Sequence, residues 1–116
     1  MDLVKNLGLL ALGSRLKMLA ELLYRDVSRV YTSLNLDFEP RFFLVFYILI
    51  NKKEIKITDL ARETGLSQPA VSQTTESMEK KGLVKFIKDK NDERKKIVAL
   101  SRKGQLLVPV LEKIWK

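Results

Sequence analysis

At 116 residues the chain is of single-domain length, with room for a real but small core. It carries 22 Lys and Arg against 14 Asp and Glu, a formal net charge of +8 that favours polyanionic partners. It has no Cys and no His, which excludes disulfides, thiol redox sensing, Zn sites built on those residues and imidazole general-base catalysis. There is no phosphate-cradling P-loop, no dinucleotide glycine pattern and no Asp/Glu cluster with metal-ligand spacing, so neither a cofactor nor an enzyme site is expected. The apolar run at residues 7 to 12 is too short to span a membrane and is broken by Arg15 and Lys17, and cytoplasmic residence is the expectation.

Residues 3 to 34 read as mainly helical. Leu16, Leu19, Leu23, Val27 and Val30 recur at spacings of three and four and form one stripe, which extends upstream through Leu3, Leu7 and Leu10. Gly8 and Gly13 weaken the start, so either one long helix bends there or a new helix begins with Ser14 as its cap. The stripe is more apolar surface than a small domain needs for its own core, and it points to a partner helix from a second copy of the chain. A loop at residues 35 to 40 leads into a second helix at 40 to 51, with Pro40 in its first turn. That helix is apolar nearly all round and is expected to be central and buried. Tyr24, Phe43 and Tyr47 are candidates to line a ligand pocket, and ordinary core aromatics are the plainer reading of the same residues.

Residues 55 to 57 alternate like a short half-buried strand. The next stretch has the layout of a helix-turn-helix. Thr58 is placed to cap a first helix running to Arg62 or Glu63, and Gly65 closes it in a left-handed conformation. Ser67 is the next N-cap, and Pro69 sits in the first turn, where its missing N–H costs nothing. Val71, Thr75 and Met78 share the inward face. Ser72, Gln73, Glu76 and Lys80 fall opposite, joined at the N-terminal end by Gln68, Pro69 and Ala70, and Gly82 stops the helix. In such a motif the second helix lies in the DNA major groove.

Two Val-, Ile- and Phe-rich segments at 83 to 89 and 95 to 100, separated by a turn at 90 to 93, read as a hairpin. Lys80, Lys81, Lys85, Lys88, Lys90, Arg94, Lys95 and Lys96 crowd this region, opposed by Asp89, Asp92 and Glu93. Such a run is usually a solvated face, but directly after a helix-turn-helix the nucleic-acid reading is favoured. Ser101 then caps a last helix with Leu106, Leu107, Val110, Leu111 and Ile114 on its apolar face and Pro109 as a kink inside it.

The order helix, helix, short strand, helix-turn-helix, hairpin, helix is the winged helix plan. Leu60 and Ala61, the turn Gly65, Leu66 and Ser67, then Val71 and Ser72, and Met78 leading through Gly82 to Leu83, resemble the MarR family of bacterial transcriptional regulators. Asp92 and Arg94, followed by Leu100, Ser101 and Gly104, are similar to that family's Asp-x-Arg wing motif and the Leu-Thr-x-x-Gly opening of its next helix. Thr74 and Thr75 depart from it by replacing usually aliphatic positions. The resemblance implies a mainly α protein with a small β wing (α+β), a winged helix-turn-helix with long N-terminal and C-terminal dimerisation helices. The whole chain, 1 to 116, is read as one domain: N-terminal dimerisation helices at 1 to 51, a DNA-binding core at 55 to 100, and the start of a C-terminal dimerisation helix at 101 to 116.

The implied function is a sequence-specific regulator, a repressor acting as a homodimer on a pseudo-palindromic double-stranded operator and relieved by a small-molecule effector. Gln73 can bond an adenine edge, Gln68 can do the same or hold a phosphate, Ala70 or Pro69 can touch a thymine methyl, Ser72 is small enough to approach a base, and Glu76 can either accept from cytosine or repel the backbone. Thr58 and Ser67 sit at helix N-termini, which favour phosphate. In the family the wing arginine enters the minor groove and the aspartate two residues earlier orients it, positions held here by Arg94 and Asp92. Lys88, Lys90 and Lys95 are expected to hold phosphates. Each assignment has a plainer rival: a cap for Ser67, an idle surface residue for Gln73, a turn ion pair for Asp92 and Arg94. Two alternatives stand beside the regulator. The chain would be the regulatory N-terminal domain of a larger enzyme such as an acetyltransferase fusion, or a winged helix used for protein contact.

Overall fold

The computed structural model describes residues 8–92 and 95–115. The chain divides into two compact units, Met1–Pro40 and Arg41–Lys116. In the first, helix α1 spans Leu9–Ser33 and runs unbroken through Gly13, so Ser14 caps no new helix. Leu3 and Leu7 of the upstream stripe lie outside the described residues. The end of α1 is set by Asn35, which takes a positive φ of 59° that Asn tolerates better than most side chains. The Leu36 amide then donates to the Tyr31 carbonyl (2.9 Å) and the Asn35 amide to that of Thr32 (3.0 Å), the paired bonds that satisfy a helix C-terminus. Tyr31 packs edge-on against Phe38 with centroids 5.1 Å apart.

The second unit begins with a short 3-10 turn at Pro40–Phe42 that passes into helix α2, Phe43–Lys52. Strand β1 (Glu54–Lys56), helix α3 (Ile57–Thr64), helix α4 (Gln68–Lys80), strands β2 (Val84–Lys88) and β3 (Lys96–Leu100), and helix α5 (Arg102–Trp115) follow. The core collects Phe42, Val45, Phe46 and Leu49 from the α2 region, Leu60 and Ala61 from α3, Val71, Thr75 and Met78 from α4, Val98 and Leu100 from β3, and Leu111 from α5. Burying side chains of this size contributes roughly 1.5–3 kcal/mol each and drives the assembly.

The structure corrects the sequence reading of α2. Val45, Phe46 and Leu49 are buried, whereas Phe43, Leu44 and Tyr47 are exposed, so only one stripe of this apolar helix faces the core. Phe43 stacks on Tyr47 at 6.0 Å and meets Trp115 edge-on at 4.7 Å. Tyr24 of α1 is exposed as well. The core reading of Phe43 and Tyr47 fails because the buried α2 stripe follows the contacts α2 makes with α3 and the sheet, not its mean hydropathy. In α5, likewise, Leu111 is buried while Leu106 and Val110 are exposed, and the helix continues past Pro109.

The sheet is antiparallel in the order β1-β3-β2. β3 is central, with Ile55 opposite Val98 on one side and Phe86 opposite Val98 on the other. β1, three residues long, is thereby joined to a strand much later in the chain. Among the described residues no helix is long and apolar enough to cross a membrane.

Candidate nucleic-acid interface

The helix-turn-helix is built by local capping. Gly65 ends α3 with φ 74°, and its amide donates to the Ala61 carbonyl at 2.9 Å. Ser67 begins α4, its Oγ accepting from the Ala70 amide at 3.2 Å, with Pro69 in the first turn. At the other end Gly82 takes φ 77°; its amide donates to the Glu79 carbonyl and that of Leu83 to the Met78 carbonyl, both at 2.9 Å. Leu83 and Met78 are themselves buried, completing the hydrophobic contact of this helix stop.

Thr58 is not the cap of α3. Pairing of Lys56 with Ile97 extends the strand to the helix, so α3 starts at Ile57, Lys56 occupies the N-cap with no side-chain cap bond, and Thr58 is the second helical residue. Thr74 and Thr75 belong to the packed face of α4. Both are buried, and Thr75 Oγ1 donates to the Val71 carbonyl (2.9 Å), with Ser72's carbonyl at 3.1 Å.

With Val71, Thr75 and Met78 buried, the opposite face of α4 is open. Gln68, Pro69, Gln73 and Glu76 are exposed, and Ala70 and Ser72 are half-buried. One flank of the helix is held by Arg41, whose guanidinium donates to Ser77 Oγ at 2.9 Å. The β2–β3 hairpin stands beside this face. Glu76 and Lys80 share a cleft with Lys88, Lys95 and Lys96 of the hairpin. Lys88 lies directly opposite Lys96, a like-charge pair that an anion would relieve. Lys90 is exposed at the turn, and Lys96 Nζ lies 5.5 Å from the centroid of the Phe86 ring.

Two hydrogen bonds lie at the described ends of the hairpin turn. The Asp92 carbonyl accepts from the Lys95 amide at 3.0 Å. Asp89 Oδ1 accepts from the Asn91 amide at 2.9 Å, and Oδ2 pairs with Lys56 Nζ at 3.7 Å. The Asn91 N–H, with the nearby Lys56 and Lys95 charges, holds the Asp89 carboxyl below its ordinary value. Arg94 lies outside the described residues. Lys56 belongs to this surface although the sequence singled it out for no DNA contact, and Lys96 joins it from the basic run. Lys56 is brought there by its pairing across to β3, which no local motif announces.

A winged helix-turn-helix of this geometry has known relatives. The model of the MarR family matches residues 39–96, half of the chain. The chain belongs to the MarR family. Its helix-turn-helix and wing are the DNA-binding apparatus of a family of transcriptional regulators. No curated protein matches it in sequence. Among solved structures, a mutant MarR from E. coli complexed with operator DNA is similar at a TM-score of 0.73 and 20% identity, covering 92% of this chain and 74% of that one. The S. aureus MepR–DNA complex matches at 0.74 and 19% identity, covering 89% and 75%. The transcriptional repressor CouR bound to a 23-mer DNA duplex matches at 0.70 and 22% identity, covering 88% and 70%. At these identities the likeness establishes the shared fold.

Proposed function

We propose that this MarR-family DNA-binding transcriptional regulator is a cytoplasmic repressor that reads a pseudo-palindromic operator as a homodimer. The observation that carries the reading is the open polar face of α4 beside a lysine-rich hairpin, with Glu76 and Lys80 sharing one cleft with Lys88, Lys95 and Lys96. Gln68, Ser72 and Gln73 read base edges in the major groove, Pro69 and Ala70 offer apolar contact to thymine, and Glu76 accepts from cytosine. Arg94, oriented by Asp92, enters the minor groove, and Lys88, Lys90 and Lys95 hold phosphates together with Thr58 and Ser67. Neighbours of the same fold solved on DNA support the reading. Exposed leucines and valines along α1 supply apolar surface for a second copy, which would set two half-sites about one helical turn, roughly 34 Å, apart. Phe43 and Tyr47, stacked on α2, are the candidate contacts for a small-molecule effector, acting by favouring a dimer geometry that does not fit this spacing.

The test is fluorescence anisotropy on a labelled duplex library at several salt concentrations. A subset of duplexes should bind at least ~1,000-fold more tightly than bulk DNA. Gln73→Ala should cost about 1–3 kcal/mol on that subset and relax the preference at one base pair per half-site. Arg94→Ala should weaken the same subset. Binding that is weak, indifferent to sequence and unmoved by either substitution would sink the reading.

A further inference from the structure

The end of β1, the first turn of α3, the start of α4 and the base of β3 enclose a cleft of about 240 Å3. Lys56, Lys95 and Lys96 converge on it, with the hydrogen-bonding side chains of Thr58, Gln68 and Ser72 around them. Among the described residues no carboxylate lines this cleft. Asp89 reaches Lys56 without lining it, at 3.7 Å, and its side chain is only 11% exposed while that of Lys56 is 40% exposed. Among the described residues three cations line this concave wall with the Asp89 carboxylate against them, an excess of positive charge that such a wall focuses on an incoming anion. Gln68 and Ser72 belong both to the cleft and to the open end of α4. A polyanion running along α4 would therefore pass over the cleft mouth.

We propose that this cleft seats one backbone phosphate of the bound DNA. Its principal cation is Lys56, a residue that lies in neither the recognition helix nor the wing, and Asp89 competes with the phosphate for it in the free protein. The proposal rests on the DNA-binding reading above and adds Lys56, which belongs to neither α4 nor the hairpin, to the phosphate contacts of Thr58 and Lys95. Phosphate and carboxylate are alternative partners for the Lys56 ammonium, and its exposed position allows the exchange. Asp89→Asn removes the competing charge but keeps an oxygen to accept from the Asn91 N–H, so the hairpin turn is retained.

The experiment measures the affinity of a preferred duplex and a random duplex between about 50 and 300 mM NaCl, for wild type, Lys56→Gln, Asp89→Asn and the double variant. Loss of one phosphate contact should lower the slope of log K against log salt by about 0.9. Lys56→Gln should therefore weaken both duplexes alike, by about 3- to 10-fold at low salt, with the sequence preference intact. Asp89→Asn should tighten both about 2- to 3-fold, and most of that gain should vanish in the double variant, since the two residues act on one site. Lys96→Gln is the second probe and should lower the slope similarly, with thermal melts confirming that each variant is folded. An unchanged slope in Lys56→Gln, whatever Lys96→Gln does, or a loss confined to the preferred duplex, overturns the proposal. A wild type without sequence preference whose slope still falls in Lys56→Gln keeps the seat and sinks the regulator reading. A wild type that binds no duplex overturns both.

Discussion

Gly104 sits directly against the carbonyl of Leu83: a Cβ built on Gly104 would lie 2.2 Å from that oxygen. The contact joins the start of α5 to the stop of α4. Around it the Ser101 amide donates to the Leu83 carbonyl (3.0 Å), Ser101 Oγ accepts from the Gly104 amide (3.1 Å) and donates to the Gly82 carbonyl, and Lys103 Nζ donates to the Lys81 carbonyl at 2.9 Å. The obstacle is backbone, which cannot rotate aside. Gly104→Ala should therefore destabilise the protein by about 2–3 kcal/mol, at the upper end of overpacking costs, as read by urea denaturation. A change under ~0.5 kcal/mol would show that the junction yields easily.

Thr75 makes a prediction of the opposite sign. Its hydroxyl is fully buried but donates to carbonyls of its own helix. Thr75→Val removes that donor without orphaning an isolated acceptor and keeps the branched shape, so it should be neutral or stabilising by up to ~1 kcal/mol. Thr75→Ala should cost about 1–2 kcal/mol through the cavity it leaves. If Val costs as much as Ala, the hydroxyl contributes more than this account allows.

Asp89 should titrate below the ordinary aspartate range, because the Asn91 N–H and then the Lys56 and Lys95 charges favour its ionised form. Its folded pKa is depressed, so its contribution is fully present above the unfolded value of about 3.9 and is lost as pH falls through the folded one. Hairpin order should thus be insensitive to this group from pH ~5 upward and weaken only in acid. Carboxyl-carbon NMR titration checks it. In Lys56→Gln the midpoint should rise yet stay below the ordinary value, since the Asn91 bond is the largest cause. Full reversion in that variant would show instead that the Lys56 ion pair outweighs the Asn91 hydrogen bond.

Leu16, Leu19 and Leu23 of α1 are each more than half exposed. Burying such leucines against a second copy should stabilise a dimer by roughly 1.5–3 kcal/mol each. Sedimentation should show a concentration-dependent dimer for wild type. Leu16→Glu combined with Leu23→Glu should weaken it more than tenfold while leaving helical circular dichroism unchanged. A dimer that survives the double substitution would place the interface elsewhere.

The chain's own order of residues determined every element whose limits are a matter of local chemistry. Ser67 and Ser101 start helices, and Gly65 and Gly82 stop them, because a cap needs only a hydroxyl or a left-handed backbone within about four residues of the end it satisfies. The burial of Val71, Thr75 and Met78, and the exposure of Gln73, Glu76 and Lys80, followed from helical period, whereas Thr74 is buried as well and Ser72 is half-buried. Tertiary structure decided what depends on partners distant in the chain. The α2 residues are apolar nearly all round, and only their packing against α3 and the sheet selects Val45, Phe46 and Leu49 for burial over Phe43 and Tyr47. Thr58 looked like a cap until pairing with Ile97 carried the strand to Lys56 and moved the helix start ahead of it. The same pairing carries Lys56 to the cleft it shares with Lys95, Lys96 and Ser72, a juxtaposition set by strand order rather than by spacing.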